Sequence, residues 1–133
     1  MRVLLDTDVL LDVALKRESF LFASQEVLRW AEGEPGQACV AWHTLSNIAY
    51  LTVKPREFIR QLLKFVEVAE VGTKEARQAA DLPMSDFEDA LQVAAALAFG
   101  ASFVVTRNVH DFRKSPVPGL APADFLVHLR KPK

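Results

Sequence analysis

The stretch Arg2-Val3-Leu4-Leu5-Asp6-Thr7-Asp8-Val9-Leu10-Leu11-Asp12 opens the chain and decides its architecture. Residues 2–5 are a short apolar run of strand length that ends on a carboxylate, Asp6. From Thr7 to Lys16 the apolar residues Val9, Leu10, Val13 and Leu15 fall at helical intervals. A buried strand that passes into a helix within two residues is the first step of an alternating strand–helix chain.

The alternation continues downstream. Residues 19–32 carry Phe22, Val27, Leu28 and Trp30 in a helical pattern that stops at Gly33, Pro35 and Gly36. Residues 37–42 read as a second strand. Two helices follow, over 44–52 and 56–65, divided by Pro55, which cannot continue a helix interior. Residues 66–71 form a third strand closed by Gly72, and Thr73 is placed to cap a helix that Pro83 breaks. Ser85 is placed to cap a long helix over 86–99 that ends at Gly100. The β-branched run 102–106 is a further strand, Pro116, Pro118, Gly119 and Pro122 make a loop, and 123–129 is a last short helix. The expected fold is a three-layer α/β/α domain with a central parallel β-sheet, one domain over 1–133, without internal repeats.

Composition narrows the class. The chain has 133 residues, half of them hydrophobic and a quarter charged, which is ordinary globular make-up. No apolar run approaches the roughly 18 residues of a membrane span. An acid at position 6 interrupts what a signal peptide would continue, so the expectation is a soluble cytoplasmic protein without membrane association. Cys39 is the only cysteine and reads as core filling. A formal net charge of −1 argues against broad electrostatic capture of nucleic acid, but not against an enzyme whose carboxylates are neutralised by metal ions.

Three acidic groups recur where a parallel sheet would gather them. Asp6 ends the first strand; Asp86 and Asp89 lie three apart on one face at the start of the long helix, with Glu88 pointing elsewhere; Asn108 and Asp111 follow the strand at 102–106. In open parallel sheets, sites form beyond the carboxyl ends of the strands, at a topological switch point. Clustered carboxylates repel unless protonated or joined by a cation. Oxygen ligands suit Mg²⁺ or Mn²⁺, ions that activate water for phosphodiester hydrolysis. Asp8 reads as a cap of the first helix and Asp12 as a solvent-facing or supporting residue. His43 reads as a brace for the following helix, and His110 and His128 as exposed or outlying.

Taken together, Leu4-Leu5-Asp6-Thr7-Asp8-Val9-Leu10-Leu11-Asp12, Asp86-Phe87-Glu88-Asp89-Ala90-Leu91-Gln92 and Val104-Val105-Thr106-Arg107-Asn108-Val109-His110-Asp111-Phe112 closely resemble the PIN domain, and its VapC-type members most of all. The resemblance runs over essentially the whole chain, with the motifs in order. It implies a Mg²⁺- or Mn²⁺-dependent endonuclease acting on RNA, often the toxin of a toxin–antitoxin pair, with an antitoxin partner and a homodimeric state. It matches the family's metal-binding acids to Asp6 and Asp89 and its last position to Asn108, with Asp111 close enough to substitute or assist; metal binding is thus expected of Asp6, Asp89 and Asp111, and catalysis of these with Asp86. Asn108, Asn47 and Thr106 are expected to support, and Arg107, which flanks the site, is an RNA-contact candidate because RNA needs positive charge. Where the family carries a second acid on the helix after strand two, this chain has Asn47, a neutral ligand at best. Asp86 then restores the missing charge, as in a subgroup with Asn at this position.

Lys54, Arg56, Arg113 and Lys114 are further candidates for the RNA backbone, though singly each reads as a solvated charge; Lys131 and Lys133 read as a terminal tail. Phe20, Leu21, Phe22 and Trp30 are apolar candidates for a subunit contact, with core burial expected for most. Two alternatives stand beside the nuclease: a PIN-like binding module impaired through Asn47, and a haloacid-dehalogenase-like phosphatase using Asp6 as nucleophile and Asp8 as acid/base. The phosphatase lacks support elsewhere in the chain.

Overall fold

The computed structural model describes residues 1–131; Lys133 lies outside the described residues. In chain order the elements are β1 (Val3–Leu5), α1 (Thr7–Ala14), α2 (Glu18–Gly33), β2 (Ala38–Val40), α3 (Trp42–Leu51), α4 (Pro55–Leu62), β3 (Glu67–Val68), α5 (Thr73–Asp81), α6 (Phe87–Phe99), β4 (Phe103–Val105), a 3₁₀ turn (Val109–Phe112), β5 (Gly119–Leu120) and α7 (Pro122–Leu129). The five strands form one all-parallel sheet in the order β3-β2-β1-β4-β5. Helices cover both faces, so the expected three-layer α/β fold is the observed one.

Strand parity sorts the core. Side chains alternate across a sheet, and Val3, Leu5, Ala38, Val40 and Val105 face one side with Val9 and Leu10 of α1, Val27 and Leu28 of α2, Ile48 of α3 and Phe125 of α7. Leu4, Cys39 and Val104 face the other side with Val93, Ala95 and Ala96 of α6. The small residues Ala79, Ala90 and Ala94 then let α5 sit close on α6. Fully burying one of these Val or Leu side chains contributes about 1.5–3 kcal/mol. Cys39 is wholly buried, and burial pushes its thiol up to about 12, leaving it an inert core residue.

Several local expectations need correction. Pro55 opens α4 instead of only interrupting the pattern, because the first helical position needs no N–H. Asp86, not Ser85, caps α6: its Oδ1 accepts from the Asp89 N–H at 3.1 Å. Gly72, not Thr73, precedes α5, and the Glu75 Oε1 accepts from the Gly72 N–H at 2.8 Å. The third strand shrinks to two residues. The proline-rich loop holds a fifth strand, β5, whose backbone pairs with β4. Gly119 suits the close approach there: a Cβ would lie 3.2 Å from Thr106 Cγ2 and 3.3 Å from Phe112 Cβ, so these neighbours would have to give by a few tenths of an ångström. Trp30 packs edge-on to Phe125, while Phe22 is 77% exposed. Among the described residues no helix is long and apolar enough to cross a membrane.

Candidate active site

Strand order reverses at β1. The chain builds outward through β2 and β3, then returns to place β4 on the other side of β1. The carboxyl ends of β1 and β4 therefore flank the switch point, and Asp6 and Thr106 are the residues that leave them.

Asp6 is buried and held at both oxygens. Gln92 Nε2 donates to Oδ1 at 2.9 Å and Thr106 Oγ1 donates to Oδ2 at 2.7 Å. Gln92 lies one turn beyond Asp89 on α6, so a single helix face brings both to Asp6. Around Asp6 opens a cleft of about 400 Å³ whose walls include Asp8, Asn47, Asp86, Glu88, Asp89, Asn108 and Asp111, with Arg17 and His43 at its margins. The expected acids Asp6, Asp86, Asp89 and Asp111 thus line one cleft with Asn47 and Asn108. Glu88, expected to point away, lines it too: at the first turn of α6 it is exposed and borders the same opening.

The electrostatics follow from that crowding. Burial, then the neighbouring carboxylates of Asp86, Asp6, Asp111 and Glu88, push Asp89 up to about 7. Asp8 is likewise pushed up to about 7, by burial first and by Asp6 next, against the lowering pull of Arg107. Burial lowers the proton affinity of His43 below the ordinary histidine value, against the charges of Glu88 and Asp6, and its Nε2 is buried without a hydrogen-bond partner.

Asp8 is not a helix cap. Its Oδ2 accepts from the Arg107 N–H at 3.2 Å and from Asn108 Nδ2 at 3.1 Å, while its Oδ1 is buried with no donor. Asp12 is wholly buried, not solvent-facing; its Oδ2 accepts from Ser24 Oγ at 3.0 Å and from Arg107 Nε at 2.9 Å. Arg17 adds a longer contact to Asp12 at 3.6 Å. Arg107 points away from the cleft: its guanidinium lies 3.9 Å over the Phe20 ring while bound to Asp12. Thr106 is fully buried beneath the cleft and also accepts from the Asn108 N–H at 3.0 Å.

Gln92, Asp8 and Asp12 are site residues that the sequence reading does not pick out, yet the pair Asp8 and Asp12 carries a signal. Like charges four apart on one helix face repel, so their presence directly after Asp6 calls for a cation between them.

The donor set fits a hard divalent cation. An orphaned Asp8 oxygen, two carboxyl groups held protonated near neutrality and several more carboxylates on one cleft are what oxygen-seeking ions relieve. Among the described residues no three His, Cys, Asp or Glu side chains converge closely enough to enclose an ion by themselves. An ion held here would need water to complete its ligands, as Mg²⁺ characteristically does.

Residues 2–110 match the PIN domain family. No curated protein matches the chain in sequence. In structure it is similar to a chain of the VapBC2 complex from Rickettsia felis bound to a DNA fragment from its promoter: TM-score 0.66, 17% identity, covering 91% of this chain and 98% of that one. It is also similar to a chain of a toxin–antitoxin complex from Klebsiella pneumoniae: TM-score 0.64, 20% identity, covering 90% and 97%. At such identities the likeness is one of fold.

Proposed function

The chain belongs to the PIN domain family, and from that premise we propose that it is a Mg²⁺- or Mn²⁺-dependent RNA endonuclease of the VapC type. The observation that carries this reading is the cleft itself, where carboxylates from β1, α1, α6 and the turn after β4 face one another with two of them pushed up to about 7. Asp6, Asp89 and Asp111 would hold the ion, with Asp86 adding the charge that Asn47 does not supply in this Asn-bearing variant of the site. A bound ion supplies an activated water and offsets the charge that develops on the phosphate and on the leaving oxygen.

The remaining work falls to the chain. Gln92 and Thr106 fix Asp6 in one orientation from below, leaving its carboxylate no freedom to turn away. Asp86 has two duties, since one oxygen caps α6 and the side chain also borders the cleft. Asn108 keeps Asp8 in place, and Asn47 offers its amide to a water or to the substrate. We read residues 1–133 as one domain. An antitoxin partner, a homodimer and a cytoplasmic setting complete the proposal by analogy with the toxin–antitoxin complexes this fold is similar to.

The direct test is cleavage of single-stranded RNA with and without Mn²⁺; no Mn²⁺-dependent cleavage across a range of sequences would reject the reading. Asp86→Asn keeps an acceptor for the Asp89 N–H but removes a charge. It should raise the Mn²⁺ concentration for half-maximal activity about 10-fold, with melting little changed. An unchanged metal dependence would leave Asp86 a helix cap and nothing more.

The carboxyl groups also set a pH dependence. Asp8 and Asp89 hold protons up to about 7 in the fold but only near the ordinary value of 3.8 when unfolded. Between those values the folded state binds more protons than the unfolded one, so stability in chelator should fall as pH rises from 4 to 7. Mn²⁺ binds the deprotonated cleft and should raise the melting temperature more at pH 8 than at pH 5. A chelated protein that melts at the same temperature across this range would contradict the crowding described above.

A further inference from the structure

Beside the acid cleft lies a smaller, mainly apolar pocket of about 190 Å³, and His43 lines both. Trp42 forms one wall and Val71 and Leu91 others. Trp42 is 71% exposed, whereas Trp30 packs against Phe125 as a core tryptophan does. An exposed indole beside an apolar pocket offers a ring face to a partner. His43 lines both openings and so joins the apolar pocket to the acid cleft.

Of the two arginines tied to Asp12, Arg107 lies over Phe20 and only Arg17, in a longer contact with Asp12, lines the cleft. With a net charge of −1, phosphate contacts leave room for a second source of affinity, and bases are such a handle on a single strand. We propose that this pocket is a nucleobase subsite, where a base next to the phosphate in the acid cleft stacks on Trp42 beside His43. The inference rests on the ribonuclease reading of the cleft. Continuity through His43 favours a nucleotide over a protein side chain, because one ligand must then present a flat ring and an anionic group side by side. Sugar-linked base and phosphate do that. Every base has a π-face, so stacking gives affinity with little sequence preference.

The test is fluorescence anisotropy with a labelled single-stranded hexaribonucleotide and Mn²⁺, on the full chain carrying Asp6→Asn so that the strand is not turned over. Adding Trp42→Ala should raise Kd about 10-fold, within the range for loss of one base–aromatic stack, and Trp42→Phe should recover most of it. A strand of abasic riboses should bind weakly and be indifferent to Trp42→Ala, since ring and base act as one pair. An unchanged Kd, no binding at all, or an equal loss on intact and abasic strands overturns the subsite. Cleavage by the unsubstituted chain is assayed in parallel. Base-dependent binding without cleavage defeats the nuclease reading and leaves the subsite standing; cleavage with an indifferent Trp42 does the reverse.

Discussion

Asp6→Asn should abolish Mn²⁺-dependent RNA cleavage, by about 10³-fold or more, without lowering the melting temperature of the chelated protein. The loss follows from position: Asp6 is the buried carboxylate at the switch point, and losing several kcal/mol of metal-borne stabilisation in the transition state is worth roughly a thousandfold in rate. The stability side is less obvious. An Asn oxygen still accepts from Gln92 Nε2, and the amide donates to Thr106 Oγ1 where the carboxylate accepted, so one hydroxyl proton loses its partner. Against that, the charge that raises the proton affinity of both Asp8 and Asp89 disappears. At pH 8 the chelated variant should therefore melt no lower than the parent. Asp89→Asn should behave alike in activity. Cleavage assays beside thermal melting in chelator decide the matter, and a variant that melts far below the parent would show Asp6 to be a structural acid instead.

The second large effect falls on stability and sits beneath the cleft. Arg107→Ala leaves Asp12 wholly buried with only Ser24 and the longer contact to Arg17, and breaking a buried pair in this way costs about 3–5 kcal/mol. Melting should fall by roughly 10 °C for a chain of this size. Arg107→Lys should recover little, because Lys lacks the planar group that both donates to Asp12 and lies on Phe20. The double replacement Asp12→Leu with Arg107→Met should be far less harmful than the sum of the two single changes, since no charge is then stranded. Additive losses would mean that the two residues act independently. The single variant should also blur the site, since the Arg107 N–H and Asn108 together position Asp8.

The opening residues announced much of this. Apolar strand residues running into Asp6, then helical spacing, could be read without coordinates because both patterns are local, with periods of two and 3.6 along the chain. The same locality explains the errors. Each of the expected caps, Ser85 and Thr73, is displaced by one residue: Asp86 takes the helix-end N–H at α6, and at α5 the helix starts after Gly72, whose N–H goes to Glu75, a choice only the final backbone geometry makes. Strand β5 was missed because two residues among prolines have no period to detect; pairing with β4 alone makes them a strand.

Site acids divide in the same way. Asp6, Asp86, Asp89 and Asp111 were found as residues at strand ends and a helix start, and parallel topology is enough to bring such positions to one edge of a sheet. From the sequence, Asp8 reads as a cap and Asp12 as a solvent-facing or supporting residue. Their partner, Arg107, stands some 95 to 99 positions away, and nothing in a helix's own sequence says which distant cation will meet it. Arg107, expected as a contact for RNA, is directed inward by the same bond.

The amino-acid order by itself determined the alternation of strands and helices, the parallel sheet, and the stations along the chain from which acids are presented. Only the tertiary structure decided which carboxylates have their proton affinity raised toward neutrality, which are tied up by Gln92, Thr106 and Arg107, and that an exposed tryptophan lines the pocket next to the cleft. The division has one cause. Element type is set by short-range periodicity, whereas charge state and pairing depend on burial and on neighbours that meet only when the sheet has formed.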